Sequence, residues 1–414
     1  MCDVQCDETR NIWKGKTVPV TEAVGMVLAH DITEIRQDEF KGRAFKKGHI
    51  VRHEDISHLQ RLGKEHLFVL NIAEDEMHED DAAYALANAL MGEGVTMEGE
   101  PKEGKINIVA NRDGLLKINK DALLQFNMLG DVMCASLHDN TVVKSGQVVA
   151  GTRAIPLVVK RRIIEEAMAI AEKVRVKIPP YPPLVKGGWG FEGNQEDYKF
   201  TGIIAVKKMR RPKAGIIITG NEVYYGRIKD AFAPIITKKI ETFKGEIVGI
   251  YYAPDDEVFI EARLRELIEA GADLLITTGG MSVDPDDVTR FAIRTLGATD
   301  ITYGSAVLPG AMFLVAYFNK LKVKSQKSDK PLNPPITKGG QEVDSGLQTP
   351  DSELVTILGI PACGMYHKTT IFDLILLRVL AGEKIGRYEL AELGHGGLCL
   401  NCKECRYPVC PFGK

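Results

Sequence analysis

The stretch Lys213-Ala-Gly-Ile-Ile-Ile-Thr-Gly-Asn-Glu222 decides the fold of this chain, and Asp273-Leu-Leu-Ile-Thr-Thr-Gly-Gly280 repeats its pattern. Each is a short apolar run that ends in threonine and glycine, which is typical of a strand buried on both faces. Between them, the apolar spacing predicts a helix that begins at Glu257 and ends at Gly271. Because strand and helix keep alternating, residues 213–385 are predicted to be α/β, with a mostly parallel sheet and helices on both faces.

The rest of the chain divides into less regular segments. An N-terminal segment (1–75) and a small α+β, β-rich module (76–177) precede the α/β domain, which is placed at 201–390. Two polar segments, 178–200 and 325–352, read as inserted loops, and a Cys-rich tail occupies 391–414. The inserts share a Pro-Pro-x-x-Lys-Gly-Gly string at 182–188 and 334–340, which leaves open a docking motif or simple flexible loops.

Composition excludes several classes of function. The 414 residues are 44% hydrophobic and 26% charged, with a formal net charge of −3. That balance argues against nucleic-acid binding through a basic surface. No apolar run is long enough for a membrane-spanning helix, and the first residues lack the pattern of a signal peptide. We therefore expect a cytoplasmic protein with neither nucleic acid nor membrane as a partner.

Polar residues follow the two decisive strands, where parallel sheets bind ligands. Gly279 and Gly280 allow backbone amides to approach a phosphate closely, and Thr277, Thr278 and Ser282 add hydroxyl groups. The carboxylates of Glu222, Asp286 and Asp287 are of the kind that holds Mg²⁺. These residues predict a phosphorylated or nucleotide-like ligand. A purely structural alternative stays open, because Asp286 and Asp287 after Pro285 also fit the first turn of a helix.

Four motifs in order carry a family resemblance: Thr219-Gly-Asn-Glu222, the segment from Thr277 to Thr289, Gly304-Ser-Ala-Val-Leu-Pro-Gly310 and Leu358-Gly-Ile-Pro361. The series resembles the molybdenum-cofactor-biosynthesis (MoeA/Mog-type) domain, and residues 20–31 are similar to the early segment of molybdopterin molybdenumtransferases. The resemblance implies a molybdopterin-binding α/β fold, Mg²⁺ and a homodimer. It also implies insertion of molybdate, or tungstate, into adenylated molybdopterin with release of AMP.

The resemblance also assigns roles to individual positions. Glu222 and Asp287 take the catalytic, Mg²⁺-holding positions. The residues expected to bind the cofactor are Thr219, Gly220, Asn221, Thr278, Gly279, Gly280, Ser282, Asp286, Thr289, Pro309 and Gly310.

Two positions depart from the family pattern. Gly310-Ala-Met312 stands where the family has Gly-Lys-Pro, and Pro361-Ala-Cys-Gly364 replaces Pro-Gly-Asn-Pro. Cys363 is then either a contact to a metal or dithiolene or a small buried thiol. The lost lysine favours an alternative function, a non-catalytic carrier or chaperone that delivers the finished cofactor to a client molybdo- or tungstoenzyme. A nucleotide-processing enzyme such as a pyrophosphatase is a third hypothesis.

The tail has the most closely spaced thiols of the chain: Cys399, Cys402, Cys405 and Cys410. Their spacing approaches that of a ferredoxin iron–sulfur motif but has one extra residue before the last cysteine. Four thiolates also suit tetrahedral Zn²⁺. The spacing therefore predicts a metal site with an iron–sulfur cluster or zinc, and free thiols are the alternative.

Overall fold

The computed structural model describes residues 16–36, 40–70, 72–175, 202–280, 288–320 and 353–413. The chain divides into two compact units. Unit 1 comprises residues 1–137 and 143–206, and unit 2 comprises residues 138–142 and 207–414. Among the described residues, no helix is both long enough and apolar enough to cross a bilayer.

Unit 1 combines small, mainly antiparallel sheets with four helices among its described residues. The helices are α1 (Ile56–Arg61), α2 (Glu79–Leu90), α3 (Lys120–Asn127) and α4 (Arg161–Arg175). The strands are β1 (Lys16–Pro19), β2 (Val27–Leu28), β3 (Ile32–Arg36), β4 (Phe40–Phe45), β5 (His66–Leu70), β6 (Glu76–His78), β7 (Val95–Lys102), β8 (Lys105–Ala110), β9 (Gly114–Ile118), β10 (Val132–Ser136), β11 (Val142–Val143), β12 (Val148–Ala154), β13 (Val158–Lys160) and β14 (Ile204–Lys207).

The main core of unit 1 lies between α2, α4 and the antiparallel sheet β10-β12-β8-β7. Leu86 and Leu90 of α2 are fully buried there with Phe126 of α3. After the segment 176–201, the chain returns to this core, because Ile203 and Ile204 are buried in it and β14 joins the sheet β11-β9-β14.

Unit 2 contains the helices α5 (Asn221–Tyr224), α6 (Phe232–Thr242), α7 (Glu257–Glu269), α8 (Thr289–Thr295), α9 (Ile371–Leu380) and α10 (Arg387–Glu392). Its strands are β15 (Lys213–Thr219), β16 (Glu246–Ala253), β17 (Leu274–Thr278), β18 (Thr299–Tyr303), β19 (Leu314–Asn319) and β20 (Leu354–Ile360).

The six strands of unit 2 form one sheet in the order β16-β15-β17-β20-β19-β18. The pairs β15–β16, β15–β17 and β17–β20 are parallel, whereas β19 and β18 are antiparallel additions. One core, which includes Ile236 of α6 and Ile375 of α9, covers one face of the sheet. A second core, with Leu264 of α7 and Ile293 of α8, covers the other. The predicted α/β class, with a mostly parallel sheet between helices, is confirmed.

The elements with the strongest local pattern agree best with prediction. β15 coincides with the apolar run that begins at Lys213 and ends at Thr219, as predicted. α7 begins at the predicted Glu257 because the side chain of Asp256 accepts a hydrogen bond from the amide of Phe259 at 2.8 Å. The short edge strand β18 and the helix α10 were not predicted. β18 is only partly buried and alternates little, so its sequence lacks the apolar run of a central strand.

Candidate functional site

Several chain segments leave the sheet of unit 2 at one edge. The parallel register places Ile218 beside Thr278 and Thr278 beside Ile360. The antiparallel β19 begins at the same level, because Leu314 pairs with the residue before Ile360, and Tyr303 at the end of β18 pairs with Leu314. We call this the loop edge; it comprises the loops that follow Thr219, Thr278, Tyr303 and Ile360. Sheets of this kind bind ligands at such an edge.

The turn after β17 requires glycine at two positions. Gly279 and Gly280 have φ angles of 81° and 55°, in the left-handed region. A Cβ atom on Gly279 would lie 2.4 Å from the carbonyl oxygen of Thr219, and one on Gly280 would lie 2.3 Å from Oγ1 of Thr289. The glycines therefore permit a close approach between the ends of β15, β17 and α8.

A network of buried hydroxyl groups holds that approach in place. Oγ1 of Thr219 donates to the carbonyl oxygen of Thr278 at 2.7 Å and lies 3.2 Å from Oγ1 of Thr289. Oγ1 of Thr289 in turn lies 3.3 Å from the carbonyl oxygen of Gly279, as its donor. Since Thr219 and Thr289 are both buried and engaged in this way, they set the shape of the turn.

Two further hydroxyl groups at the end of β17 are left without a partner. Oγ1 of Thr277 and Oγ1 of Thr278 are buried and find no hydrogen-bond partner among the described residues. An unpaired buried donor costs about 1–3 kcal/mol, so such groups are uncommon away from binding sites. The two side chains point to opposite faces of the sheet, so only one of these hydroxyls can join the glycine turn in donating to a single phosphate group.

Glu222 and Asn221 follow β15 and have different surroundings. The exposed carboxylate of Glu222 folds back over Gly220, so a Cβ atom on that glycine would lie 2.8 Å from Oε1. The amide of Asn221 donates to the Asp255 carboxylate at 3.0 Å, and Oδ1 of Asn221 accepts from the Asp255 amide at 3.3 Å. Asn221 therefore joins the β15 loop to the turn after β16, whereas Glu222 lies at the loop edge.

Of the three carboxylates predicted to hold Mg²⁺, only Glu222 lies among the described residues. Within the residues that the structure describes, no group of three or more His, Cys, Asp or Glu side chains is arranged to hold a metal ion. The predicted site residues Ser282, Asp286 and Asp287 lie outside the described residues.

The segment that follows β18 is held by its own hydrogen bonds. Oγ of Ser305 donates to the carbonyl oxygen of Gly310 at 3.0 Å. Gly310 packs so closely on α9 that a Cβ atom there would lie 2.4 Å from Cγ2 of Ile371, whose amide donates to the carbonyl oxygen of Pro309. Ala311, at the position of the family's lysine, is exposed. Pro309 and Gly310 thus position the segment, and Ala311 brings no charge to it.

The loop after β20 contributes a thiol to the same edge. Cys363 lies in a short 3₁₀ turn (Ala362–Met365) and is half-buried. Burial raises the pKa of its thiol. A thiol with a raised pKa is a poor metal ligand and nucleophile at neutral pH.

The tail packs into unit 2 and does not form the predicted metal site among the described residues. The amide of Cys399 donates to the carbonyl oxygen of Leu308 at 2.8 Å, and both Cys399 and Cys410 pack against the core that buries Phe412. Cys402 is exposed, and the hydroxyl of Thr369, 3.4 Å from Sγ of Cys405, lowers the pKa of Cys405. Neither a cluster nor zinc at the four cysteines is supported, because the described thiols are not gathered as a metal site.

Sequence reasoning did not single out two residues near the loop edge. Asp255 fixes Asn221, and its place in a Pro-Asp-Asp turn gives no functional indication by itself. Arg290 directly follows Thr289 and lies over the ring of Tyr303. Its position next to a motif residue was the available indication.

Comparison with known proteins matches part of unit 2 to a family model. Residues 215–376 match the family model described as a probable molybdopterin binding domain, and residues 17–71 match that of a domain of unknown function. A CinA-like protein of Mycobacterium avium is 28% identical over 235 residues, which cover 49% of this chain and 51% of that protein. A CinA-like protein of Mycobacterium tuberculosis is 40% identical over 77 residues, or 19% of this chain and 18% of that protein. The chain thus spans at most about half the length of these curated relatives.

Solved structures with similar parts include the tungsten cofactor synthesizing protein MoaB from Pyrococcus furiosus. It is 19% identical, with a TM-score of 0.28, and the match covers 42% of this chain and 92% of that one. A molybdenum cofactor biosynthesis protein from the same organism is 15% identical, with a TM-score of 0.21, over 90% of this chain and 67% of that one. The family model, not these likenesses, supports a probable molybdopterin binding domain within unit 2.

Proposed function

We propose that this chain binds molybdopterin at the loop edge and inserts molybdate, or tungstate, into its adenylated form with release of AMP. One observation carries the proposal: the buried hydroxyl of Thr278, which has no hydrogen-bond partner among the described residues, directly precedes the turn of Gly279 and Gly280 within the matched probable molybdopterin binding domain. Phosphate binding at this turn is the step that both a transferase and a carrier would need.

Different residues of the loop edge would bind the phosphate and the Mg²⁺ ion. Thr278, Gly279 and Gly280 would bind the phosphate through hydroxyl and backbone donors, held in shape by Thr219 and Thr289. Glu222, exposed beside Gly220, would hold Mg²⁺ together with Asp287. Bound Mg²⁺ would supply charge that polarises the phosphoryl bond. Burial of the β17 end would keep water away from the phosphate donors.

The test is an AMP-release assay under anaerobic conditions. Adenylated molybdopterin, molybdate and Mg²⁺ are incubated with the full chain, and AMP is measured over time. We expect release with the wild-type protein and a rate lower by about 100-fold in Glu222→Gln, which removes the charge that holds the ion.

The control is Glu241→Gln, an exposed carboxylate near the far end of α6, for which the wild-type rate is expected. An unchanged rate in Glu222→Gln would refute the role of Glu222. Absence of AMP with tight molybdopterin binding retained would refute the transferase reaction but not the binding.

That second outcome would favour the carrier function. Two observations support it as the alternative: Ala311 brings no cation to the loop edge, and the tail contacts the same segment through the Cys399–Leu308 hydrogen bond. A carrier would deliver finished cofactor to a client molybdo- or tungstoenzyme, with the tail available for docking. The homodimer, which rests on the family resemblance, and the cytoplasmic location, which rests on the sequence composition, belong to the same proposal.

A further inference from the structure

Arg290 brings a cation to the loop edge that the motifs do not include. It is the second residue of α8, and the residue before it, Thr289, is tied to the carbonyl oxygen of Gly279. α8 then runs over the sheet, where Ala292 and Ile293 are buried in the same core as Leu314 of β19. The start of α8 is therefore fixed beside the ends of β17 and β18.

The guanidinium of Arg290 lies over an aromatic ring. Its Cζ lies 4.6 Å from the ring centroid of Tyr303, the last residue of β18. Arg387 fixes the backbone that carries the Tyr303 ring. Its Nη2 donates to the carbonyl oxygen of Tyr303 at 3.0 Å, and its Nη1 donates to the carbonyl oxygen of Gly304 at 3.4 Å. A guanidinium that lies over a ring face can still donate hydrogen bonds from the N–H groups at its edge.

One of those donors is buried and unsatisfied. Nε of Arg290 has no hydrogen-bond partner in the described part of the chain. A desolvated donor on a charged group costs more than a neutral one, so it is retained where something else satisfies it. The planar fork of an arginine matches the oxygens of a phosphate-like anion in a bidentate manner.

We infer that Arg290, which lies over the ring of Tyr303, binds a tetrahedral oxyanion at the loop edge, beside the donors of Thr278–Gly280. The anion is either a phosphate group of the organic ligand or free molybdate, which share charge and geometry. This inference deepens the proposed function, because it adds a second anion contact to the same site, and it rests on that function for the identity of the ligand.

The test measures dissociation constants of the full chain for AMP and for molybdate, each alone, by isothermal titration calorimetry. Arg290→Gln should weaken binding of one or both probes by about 10-fold or more, since a charge-assisted hydrogen bond is lost. Arg290→Lys should recover only part of the affinity, because an ammonium lacks the fork. Loss confined to AMP identifies a ligand phosphate, and loss confined to molybdate identifies the free oxyanion.

Two controls separate binding from folding. Arg294→Gln removes the same charge one turn later, from an exposed position in α8, and should bind both probes as the wild type does. Tyr303→Leu should weaken binding by a few-fold while Tyr303→Phe retains it, because the ring face holds the guanidinium. Melting temperatures close to that of the wild type show that each variant is folded.

The outcomes also distinguish this inference from the proposed function. Wild-type affinity for both probes in Arg290→Gln overturns the inference, as does a wild-type protein that binds neither probe. If molybdopterin still binds in either case, the proposed function stands. If the oxyanions bind through Arg290 but molybdopterin does not bind, the inference stands and the proposed function fails.

Discussion

At the scale of single residues, the candidate site depends on where a side chain is absent. The glycine turn after β17 brings three elements within hydrogen-bonding distance, and the buried hydroxyls of Thr219 and Thr289 lock it. Any added carbon at Gly279 would enter space already held by the Thr219 carbonyl oxygen. The backbone conformation of this turn therefore determines where its hydrogen-bond donors lie.

An added Cβ atom at Gly279 should have two costs, backbone strain at a positive φ angle and overlap with the Thr219 carbonyl oxygen. Comparison of Gly279→Ala with Gly271→Ala should separate them. Both glycines have positive φ angles, 81° and 97°, but a Cβ atom on Gly271 would meet nothing within 4 Å. Gly271→Ala should cost about 1 kcal/mol of unfolding free energy from the backbone alone, and Gly279→Ala about 2–3 kcal/mol. Urea denaturation measures both values, and equal costs would show that the close approach to Thr219 does not constrain the native state.

At the scale of elements, α2 of unit 1 begins with a buried carboxylate, that of Glu79. Glu79 is only 7% exposed and lies against Gly48 and Gly104. Burial, with help from the neighbouring Asp80, raises the pKa of Glu79 to about 7, although Arg153 opposes the shift. The charged form of Glu79 therefore destabilises the native state, in which the carboxyl group prefers to be protonated.

The stability of unit 1 should therefore decrease as pH rises through 7. Because the native pKa lies above the ordinary value of 4.5, the native state binds the extra proton between these values. This contribution is complete below pH 4.5 and is lost as pH rises through about 7. The gain in unfolding free energy from Glu79→Gln should grow by about 2 kcal/mol between pH 5 and pH 8.

Denaturant unfolding of both proteins at each pH measures that difference. Asp81→Asn removes an exposed carboxylate from the same helical turn and serves as the control. A gain for Glu79→Gln that does not change with pH would show that Glu79 is not protonated in the native state near neutral pH.

Elements differ in how well their sequence predicts them, because only some are determined by residues that are close together in the sequence. The strand Lys213–Thr219 and the helix Glu257–Glu269 are predictable, because a continuous apolar run and an N-cap aspartate act over few residues. The direction of β19 is not predictable, since an apolar run reads the same in parallel and antiparallel pairing. Nor does local pattern place Arg290 over Tyr303, because that contact depends on how α8 crosses the sheet.

The candidate site shows the same division. Prediction named the glycine turn and the residues after β15, which follow from strand ends in an α/β sheet. It did not predict that Thr219 and Thr289 would be buried in a hydroxyl network, or that the hydroxyls of Thr277 and Thr278 would have no hydrogen-bond partner within the described ranges. It also expected the tail thiols to gather, whereas the tail's backbone pairs with Leu308 and its apolar side chains enter the core.

At the scale of the whole molecule, the two units have different roles in this account. Unit 2 carries the loop edge and the match to the probable molybdopterin binding domain, and its own C-terminal residues complete one of its two cores. Unit 1 has separate cores, and residues 17–71 match a domain of unknown function. We therefore propose that unit 2 binds the ligand.

Hydrogen–deuterium exchange of the full chain with and without molybdopterin, under anaerobic conditions, tests that assignment most directly. Bound ligand should slow exchange of backbone amides in the loops after β15, β17 and β18, where the predicted phosphate donors lie. Exchange in the central strands of unit 1 should stay unchanged. Protection confined to unit 1, or no protection at the loop edge at saturating ligand, would contradict the account.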